Sequence, residues 1–521
     1  MLYFLPLTVS SQTVYQHVSD RAIYEFLDEL ATEGVIEINS AVLPFSRTFI
    51  AEKLVGADSA RPDLNPRQQK ELDFYLRDYA RDIRYVHGVK KSFDVFYYRD
   101  SLFSISADLI LGYQYWSNGN GNVHHRRNGG EVRSYVGSHW GFYASLRDNH
   151  ESEPISDAPY LTRRMGANYK AAYDYSEMRG GVTYSWDWGV AGIIKDHNIW
   201  GSNYHGSNIQ SGRTPSFAKI MLTLKPVRWF EFNYFHGWLV SGIVDSSRSY
   251  WTTNYQGATF RNVYHPKYMA ANIFTFHPVG KLSVSAGNSI IYTDLGVHPA
   301  YLIPIFFYKS VDHTLNAGIE NQNSQMFLDI SSYNIRKLHL YGSFFIDELA
   351  ISRITDPAEQ SNFWSWKLGG RVSDLAVDNL YLTFEYTGSN PRAFRHPTPE
   401  LTYTSNGYNL GHYLLDNAVE YYIEAGYRPA ANLLVRASYT LARKGPDYTS
   451  GPNYPLGLPY MTEVDWEDSD FNLLVRYQVI NDLFVFAGYE KSNISGDVTK
   501  YTHPLWQGNT STLTAGMNFG F

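Results

Sequence analysis

Cysteine is absent from this chain of 521 residues, which excludes disulfide scaffolds, cysteine-ligated zinc, iron–sulfur clusters and thiol nucleophiles. Long apolar runs are absent too. The longest apolar stretch lies near residues 301–308, far short of the roughly 18 residues that a membrane-spanning helix needs. A helical membrane protein is therefore excluded. A membrane β-barrel remains possible, because its alternating strands average out in a hydropathy window.

Charge is scarce: 44 Lys and Arg stand against 51 Asp and Glu, and the net charge is −7. Dedicated nucleic-acid-binding proteins usually carry a basic excess, so no nucleic-acid partner is expected. Aromatic residues are abundant, with 43 Tyr, 29 Phe and 12 Trp. This composition predicts large surfaces that face apolar material on one side and water on the other.

The N-terminus resembles the end of a secretory signal peptide. A short apolar run at residues 2–7 is followed by small and polar residues up to Gln12. We predict that residues 1–12 are a signal-peptide remnant, although the positive segment that starts such a peptide is missing. The alternative is an ordinary apolar first strand or terminus.

Residues 13–90 are predicted to form a periplasmic region of short amphipathic helices. Ser19 is placed to cap the first helix and Gly34 to end it, and Ser46 and Gly56 have the same positions around the second. The first helix repeats apolar residues at helical spacing, at Ile23, Phe26, Leu27 and Leu30. Such helices need a surface to cover.

A third helix is predicted from Asn65, with Pro66 in its first turn. Gln68 completes a capping-box pattern with Asn65. The apolar face of this helix carries Leu72, Tyr75, Leu76 and Tyr79.

After about residue 90 the hydrophobic period changes from 3.6 to 2. The C-terminus has apolar residues at alternate positions, at Leu513, Ala515, Met517, Phe519 and Phe521. A last strand that ends on a terminal Phe resembles the C-terminal signal of bacterial outer-membrane barrels. The pattern predicts β-strands over residues 91–521.

Short turns between these strands alternate with long polar connections. The long connections lie near residues 149–159, 196–215, 241–264, 351–362, 389–416 and 444–468. This alternation is typical of up-and-down membrane barrels. Roughly 17 strands can be counted and bacterial barrels have an even number, so we predict an all-β membrane barrel of about 18 antiparallel strands in the bacterial outer membrane. Membrane lipid and lipopolysaccharide are its expected surroundings, and the polar inner face fits either an open channel or a filled interior.

Several sequence blocks, in their order and spacing, resemble the Wzi-like capsule assembly family of outer-membrane proteins. They include Pro-Phe-Ser-Arg at residues 44–47, Tyr-Leu-Ile-Pro at 301–304, Glu-Asn-Gln-Asn at 320–323 and Asn-Leu-Gly-His at 409–412. The resemblance implies an 18-stranded barrel with a periplasmic helical bundle near its lower mouth. It also implies a surface lectin that attaches or organises capsular polysaccharide. Glu320 departs from the family pattern, which has Asp before the Asn.

Aromatic residues in or next to the long loops are candidate contacts for polysaccharide. They are Trp200, Tyr204, Trp251, Tyr255, Trp364, Trp366, Tyr403, Tyr408 and Trp506, interspersed with Asn203, Asn208, Asn254 and Asn406. Flat aromatic faces stack on sugar rings while nearby amides bind hydroxyls. The alternative for each residue is an aromatic girdle at the membrane interface, or loop packing.

A second candidate is the basic segment 124–127, His-His-Arg-Arg, which lies between glycines and is predicted to be a loop. Arg126 and Arg127 are suited to pair with anionic polysaccharide or with lipopolysaccharide phosphate. The alternative is a solvated loop tip.

No cofactor or metal is expected. His197 and His205 could approach each other within one loop, but a third ligand is not evident at metal-ligand spacing. Nucleophile-elbow spacing and Gly-rich phosphate loops are lacking too, so we predict a non-enzymatic protein. Two alternatives to a polysaccharide-binding barrel remain open: a structural subunit of a larger envelope-assembly complex, with other outer-membrane proteins as partners, and a porin or transporter.

Overall fold

The computed structural model describes residues 12–82, 95–255, 257–315, 318, 321–356, 358, 362–374, 377–448, 456–480 and 482–520. Apart from Gln12, the predicted signal-peptide remnant lies outside these residues. The boundary at residue 90 between the two predicted regions also lies outside them.

Eighteen antiparallel strands close into a barrel, as predicted. The first nine are β1 Phe103–Asn118, β2 Gly121–Val136, β3 Trp140–Glu151, β4 Asp174–Trp186, β5 Gly189–Asp196, β6 Phe217–Val227, β7 Phe230–Val244, β8 Tyr264–Val279 and β9 Leu282–Thr293. The others are β10 Gln322–Ile335, β11 Leu338–Glu348, β12 Phe363–Ser373, β13 Leu380–Ser389, β14 Ala418–Ala430, β15 Leu433–Lys444, β16 Trp466–Ile480, β17 Leu483–Gly496 and β18 Gly508–Phe519. Strand β18 pairs with β1, from Leu513 opposite Ser117 to Phe519 opposite Leu111.

Short turns lie at one end of the barrel and most of the long connections at the other. The turn end, here the lower end, corresponds to the periplasmic side of outer-membrane barrels, and the opposite end to the outside. A four-residue strand, Phe96–Arg99, pairs with the start of β1 near the lower end. Along the strands, inward polar residues alternate with outward apolar residues such as Ile193, Leu368 and Ile423. This alternation is the pattern that the sequence predicted.

Three N-terminal helices form a small core of their own. They are α1 Arg21–Thr32, α2 Arg47–Ser59 and α3 Pro66–Asp78. Their apolar faces pack together, with Phe26 stacked on Tyr75 at 5.3 Å between ring centroids. Among the described residues, none of the helices has an apolar stretch long enough to cross a membrane.

The caps of these helices confirm part of the prediction and correct two details. Ser46 accepts a hydrogen bond from the Phe49 amide, and the Asn65 capping box is formed. Asp20, not Ser19, precedes the first turn of α1, because the Ser19 hydroxyl is 2.5 Å from the His17 ring instead. Helix α2 runs past Gly56 to Ser59, and the buried Ala57 continues its apolar face.

The lumen is filled from both ends. The helices occupy the lower end, and two of the long connections, residues 197–216 and 390–417, fold inward from the upper end. Inside the barrel, Ile199–Trp200 pairs with Val42–Leu43 of the N-terminal region. A buried apolar cluster joins the inward loops to the wall, through Trp200, Ile209, Phe235, Met269, Phe327, Phe345, Phe394 and Tyr403.

Candidate functional site

The helices are held in the lower lumen by a charge network around Glu25. Its carboxylate accepts hydrogen bonds from Arg428 on β14 at 3.1 Å, Arg436 on β15 at 2.6 Å and Arg476 on β16 at 2.8 Å. All four groups are largely buried. One carboxylate thus bridges three strands of the wall. We call residues 20–82, which occupy the lower lumen, the plug.

One turn further along α1, Asp28 fixes the inward loop 197–216. The Tyr204 hydroxyl donates to Asp28 at 2.8 Å and lies 2.7 Å from Nδ1 of His339. Arg371 lies 3.5 Å above the Tyr204 ring and donates to Asp28 at 3.0 Å. Tyr204 therefore connects the plug, through Asp28, to the wall, through His339. It was predicted as a glycan contact.

Above the plug lies an internal cavity of about 670 Å³, here called the chamber. Its wall on β16 and β17 carries the half-buried carboxylates Asp468, Asp470 and Glu490. Trp506 lies at its upper end, with the Arg164 guanidinium 5.1 Å from the Trp506 ring. The chamber is thus mixed in charge and partly aromatic, and Trp506 faces the interior of the barrel.

Three other predicted aromatic residues are buried packing residues. Trp200 packs edge-on against Phe235, Tyr403 donates to the Ile209 carbonyl at 3.2 Å, and Tyr408 donates to the Ser156 carbonyl at 2.7 Å. Their loops were predicted correctly, but these loops fold into the lumen. The three rings are therefore not accessible to a polymer at the cell surface.

Trp364 and Trp366 lie on the outward face of β12, close to its upper end. Their neighbours are Phe344, 5.4 Å from Trp364 between ring centroids, and Tyr460, 5.8 Å from Trp366. Outward aromatic residues near a strand end form the girdle of a membrane barrel. For this pair the girdle alternative agrees with the geometry.

Trp251 and Tyr255 differ from the rest because they are exposed at the outer end. They lie in a hairpin of two strands, Tyr250–Asn254 and Gly257–Arg261, within the connection between β7 and β8. Trp251 is 71% exposed and Tyr255 95%. Phe260 pairs with Trp251 across the hairpin at 5.4 Å between ring centroids. We call residues 250–261 the aromatic hairpin.

Two members of this surface, Tyr250 and Phe260, were missed from the sequence. A hairpin is indicated by a short run rich in aromatic residues and threonine, residues 250–253, that is followed closely by Gly257. Residues 241–264 were instead treated as one polar connection. Gly257 has a φ of +111°, which favours glycine in the turn.

The prediction that residues 124–127 form a loop is wrong. They lie within β2, because the connection from β1 is only Gly119 and Asn120, and the strands pair from there downward. Arg126 is exposed on the outer face, whereas Arg127 points inward and is half-buried. The two arginines therefore face opposite sides of the wall, and they do not form one anion-binding surface.

His197 and His205 do not approach each other. His197 lies 2.8 Å from Glu177 on β4, which also contacts His17 at 3.2 Å, while His205 lies 3.5 Å from Glu420 on β14. The Ser19 amide donates to Nδ1 of His17 at 2.9 Å. Neutral His17 therefore carries its proton on Nε2, and this nitrogen donates to Glu177. A protonated Nε2 has no lone pair with which to bind a metal ion. Burial lowers the pKa of His17 to about 3, so it stays neutral in this contact.

No family model and no curated protein matches the chain. Among solved structures, Wzi of Escherichia coli aligns with a TM-score of 0.60 at 12% identity, over 98% of this chain and 99% of that one. The fold is that of Wzi. Wzi is an outer-membrane protein involved in group 1 capsule assembly and a carbohydrate-binding β-barrel.

Porins align less well than Wzi. Pseudomonas aeruginosa OprD has a TM-score of 0.42 at 12% identity over 80% of this chain and 94% of its own. Acinetobacter baumannii OccAB2 has a TM-score of 0.45 at 10% identity, over 80% of this chain and 97% of its own. A Wzi-like closed barrel with an apolar outer wall belongs in a bacterial outer membrane, and the predicted location is confirmed.

Proposed function

We propose that this barrel is a non-enzymatic surface protein that binds capsular or other surface polysaccharide at its outer end. The aromatic hairpin is the observation that carries the proposal. Of the nine aromatic residues proposed from the sequence, Trp251 and Tyr255 combine high exposure with a position in an outer loop. The other seven pack inside the barrel, line the chamber or face the membrane.

The hairpin has the chemistry that sugar rings require. Trp251 and Phe260 lie side by side on one face of the hairpin, and the adjacent pair, Tyr250 and Arg261, lies on the opposite face. Sugar C–H faces stack on aromatic rings of this kind, and Arg261 is suited to donate to hydroxyl or carboxylate oxygens of polymer that passes the opposite face. Each contact is weak, and a repeating polymer raises avidity because many identical epitopes are available.

The fold and the filled lumen support this function over transport. The Wzi-like barrel is a carbohydrate-binding architecture in Escherichia coli. A porin needs a continuous water-filled path, and here the plug, the inward loops and their apolar cluster occupy the lumen. A role as a structural subunit, with other outer-membrane proteins as partners, stays an alternative prediction.

The test is binding of the detergent-folded protein to surface polysaccharide purified from its own source. We expect saturable binding that weakens about tenfold or more in a Trp251→Ala/Tyr255→Ala variant, corresponding to a loss of about 1.4 kcal/mol. Trp364→Ala is the matched control, since it removes an indole from the membrane girdle and should leave binding unchanged. Equal affinity of all three proteins would contradict the role of the hairpin, and no binding at high polymer concentration would favour the structural-subunit alternative.

A further inference from the structure

One long connection, between β9 and β10, packs against the outside of the barrel. Residues 299–315, here called the flap, comprise a short 3-10 helix, Pro299–Leu302, and helix α4, Tyr308–Leu315. The flap covers outward side chains of β7, β8 and β9. Together they form a separate buried cluster that includes Phe232, Tyr234, Ala270, Ile290, Tyr292, Tyr301, Tyr308 and Val311.

Beneath the flap, the outer wall carries a row of polar side chains where lipid-facing residues are expected. Tyr234, Asn272 and Asn288 are in register on three neighbouring strands, and all three point outward. Asn272 and Asn288 are joined by a hydrogen bond of 2.7 Å. Uncovered amides at this place would face hydrocarbon without partners, at a cost of several kcal/mol each by general estimates.

The polar row satisfies the irregular backbone of the flap. Asn272 donates to the Pro304 carbonyl at 2.7 Å and to the Phe306 carbonyl at 2.9 Å. Tyr234 donates to the Tyr301 carbonyl at 2.9 Å, and the Tyr308 amide donates to Asn288 at 2.9 Å. Wall and flap therefore neutralise each other's polar groups, which is the condition for non-strand backbone at membrane depth.

The row lies below the upper aromatic level of the barrel. Asn272 is four residues below Tyr268 on β8, and Tyr234 is four residues below Trp238 on β7. With a strand rise of about 3.3 Å per residue and a tilt of about 40°, four residues correspond to a depth of about 10 Å. We call residues 302–307 the tip of the flap. The contacts of the tip with the wall therefore lie at the depth of the apolar band of the membrane.

The surface that the flap turns outward is apolar at this tip. Ile305 is 65% exposed and Phe307 46%. Leu302 and Ile303 are also exposed beside them. Beyond Tyr308, α4 leads back toward the top of β10 and exposes the polar residues Ser310, His313 and Thr314, with Leu315 exposed at its last position. The apolar tip and the mainly polar return match the change from acyl chains to headgroups.

We propose that the flap is a re-entrant element inserted in the outer leaflet, and that its tip around Ile305 binds lipid acyl chains. Lipid is the expected occupant because the tip continues the lipid-facing wall formed by Leu328 and Ile330 on β10, which are about half exposed. The flap thus adds a lipid contact to those that the outward residues of the strands supply.

The absence of native cysteine makes a direct test possible. Single cysteines are introduced as Ile305→Cys, Leu328→Cys and Tyr255→Cys, labelled with an environment-sensitive fluorophore and reconstituted in phosphatidylcholine vesicles. We expect doxyl-labelled lipid to quench the label at position 305 within twofold of the label at 328, and iodide to quench it little. The label at 255, on the aromatic hairpin, should show the reverse.

Two results would overturn the proposal. Iodide quenching at position 305 like that at 255 would place the tip in water. Protection from both quenchers would place it against protein, a second copy included. An Asn272→Leu change in the Ile305→Cys background, with folding checked by gel mobility without heating, should at least halve the doxyl quenching. Unchanged quenching in that folded variant would remove the anchoring role of Asn272.

Discussion

At the scale of single residues, Glu25 joins the plug to three strands of the wall at once. Three arginines from three strands donate to its carboxylate. Arg428 and Arg436 also pair with Glu71 and Glu424, so removing Glu25 takes one partner from each of them and breaks its pair with Arg476. Breaking a buried ion pair by removing one partner typically costs about 3–5 kcal/mol.

We therefore expect Glu25→Gln to weaken plug docking, making its free energy less favourable by about 3 kcal/mol or more. Protease sensitivity of the N-terminal region in the folded barrel measures it. Asp58→Asn is the control, because Asp58 pairs with Arg61 at 2.7 Å on an exposed surface and should contribute less than about 1 kcal/mol. Equal protease resistance of Glu25→Gln and the unaltered protein would show that apolar contacts alone hold the plug.

At the scale of elements, the start of α1 makes plug docking dependent on pH. Burial, with the nearby carboxylates of Asp482 and Asp78, raises the pKa of Asp20 to about 7, against the opposing charges of Arg47 and Arg476. The folded state thus holds a proton that the unfolded state releases near pH 4. Its stabilising contribution is complete below about pH 4 and is lost as pH rises to about 7.

We expect the N-terminal region to become more protease-sensitive between pH 5 and pH 8, and Asp20→Asn to reduce that difference. The amide keeps a partner for Gln16, whose side chain lies 2.8 Å from Asp20. A pH dependence that is the same in Asp20→Asn would assign it to another group, with Glu33 as the next candidate, because burial and Glu29 raise its pKa to about 7.

The strands could be predicted from the sequence, but the course of the loops could not. Alternation specifies strands because inward positions mostly face a polar interior and outward positions face lipid, two different environments. A loop rich in Asn, Ser and aromatic residues has the same composition whether it faces the outside or a polar lumen. Trp200 and Tyr403 lie in loops that the sequence indicated, but they are buried inside the lumen, whereas Trp251 is exposed in its loop. Its contact with polysaccharide stays a prediction.

At the scale of the whole molecule, the filled lumen predicts a barrel that does not conduct. In planar bilayers we expect no stable single-channel current from the full chain. Deleting residues 12–82 should give little current, because the loops 197–216 and 390–417 still occupy the lumen; replacing both loops by short Gly-Ser linkers in that deletion should open it. Steady current through the full chain would support the porin alternative.

The aromatic hairpin joins β7 and β8, and each of these strands is hydrogen-bonded to neighbours on both sides within a closed ring. Tension from a polymer bound there as proposed would therefore enter the wall where neither of the two strands has a free edge to peel. The inner faces of the same two strands contact the cluster that fills the lumen, through Phe235 and Met269. If the hairpin holds polysaccharide as proposed, drag on that polymer would load the whole barrel and its insertion in the membrane, rather than a single loop.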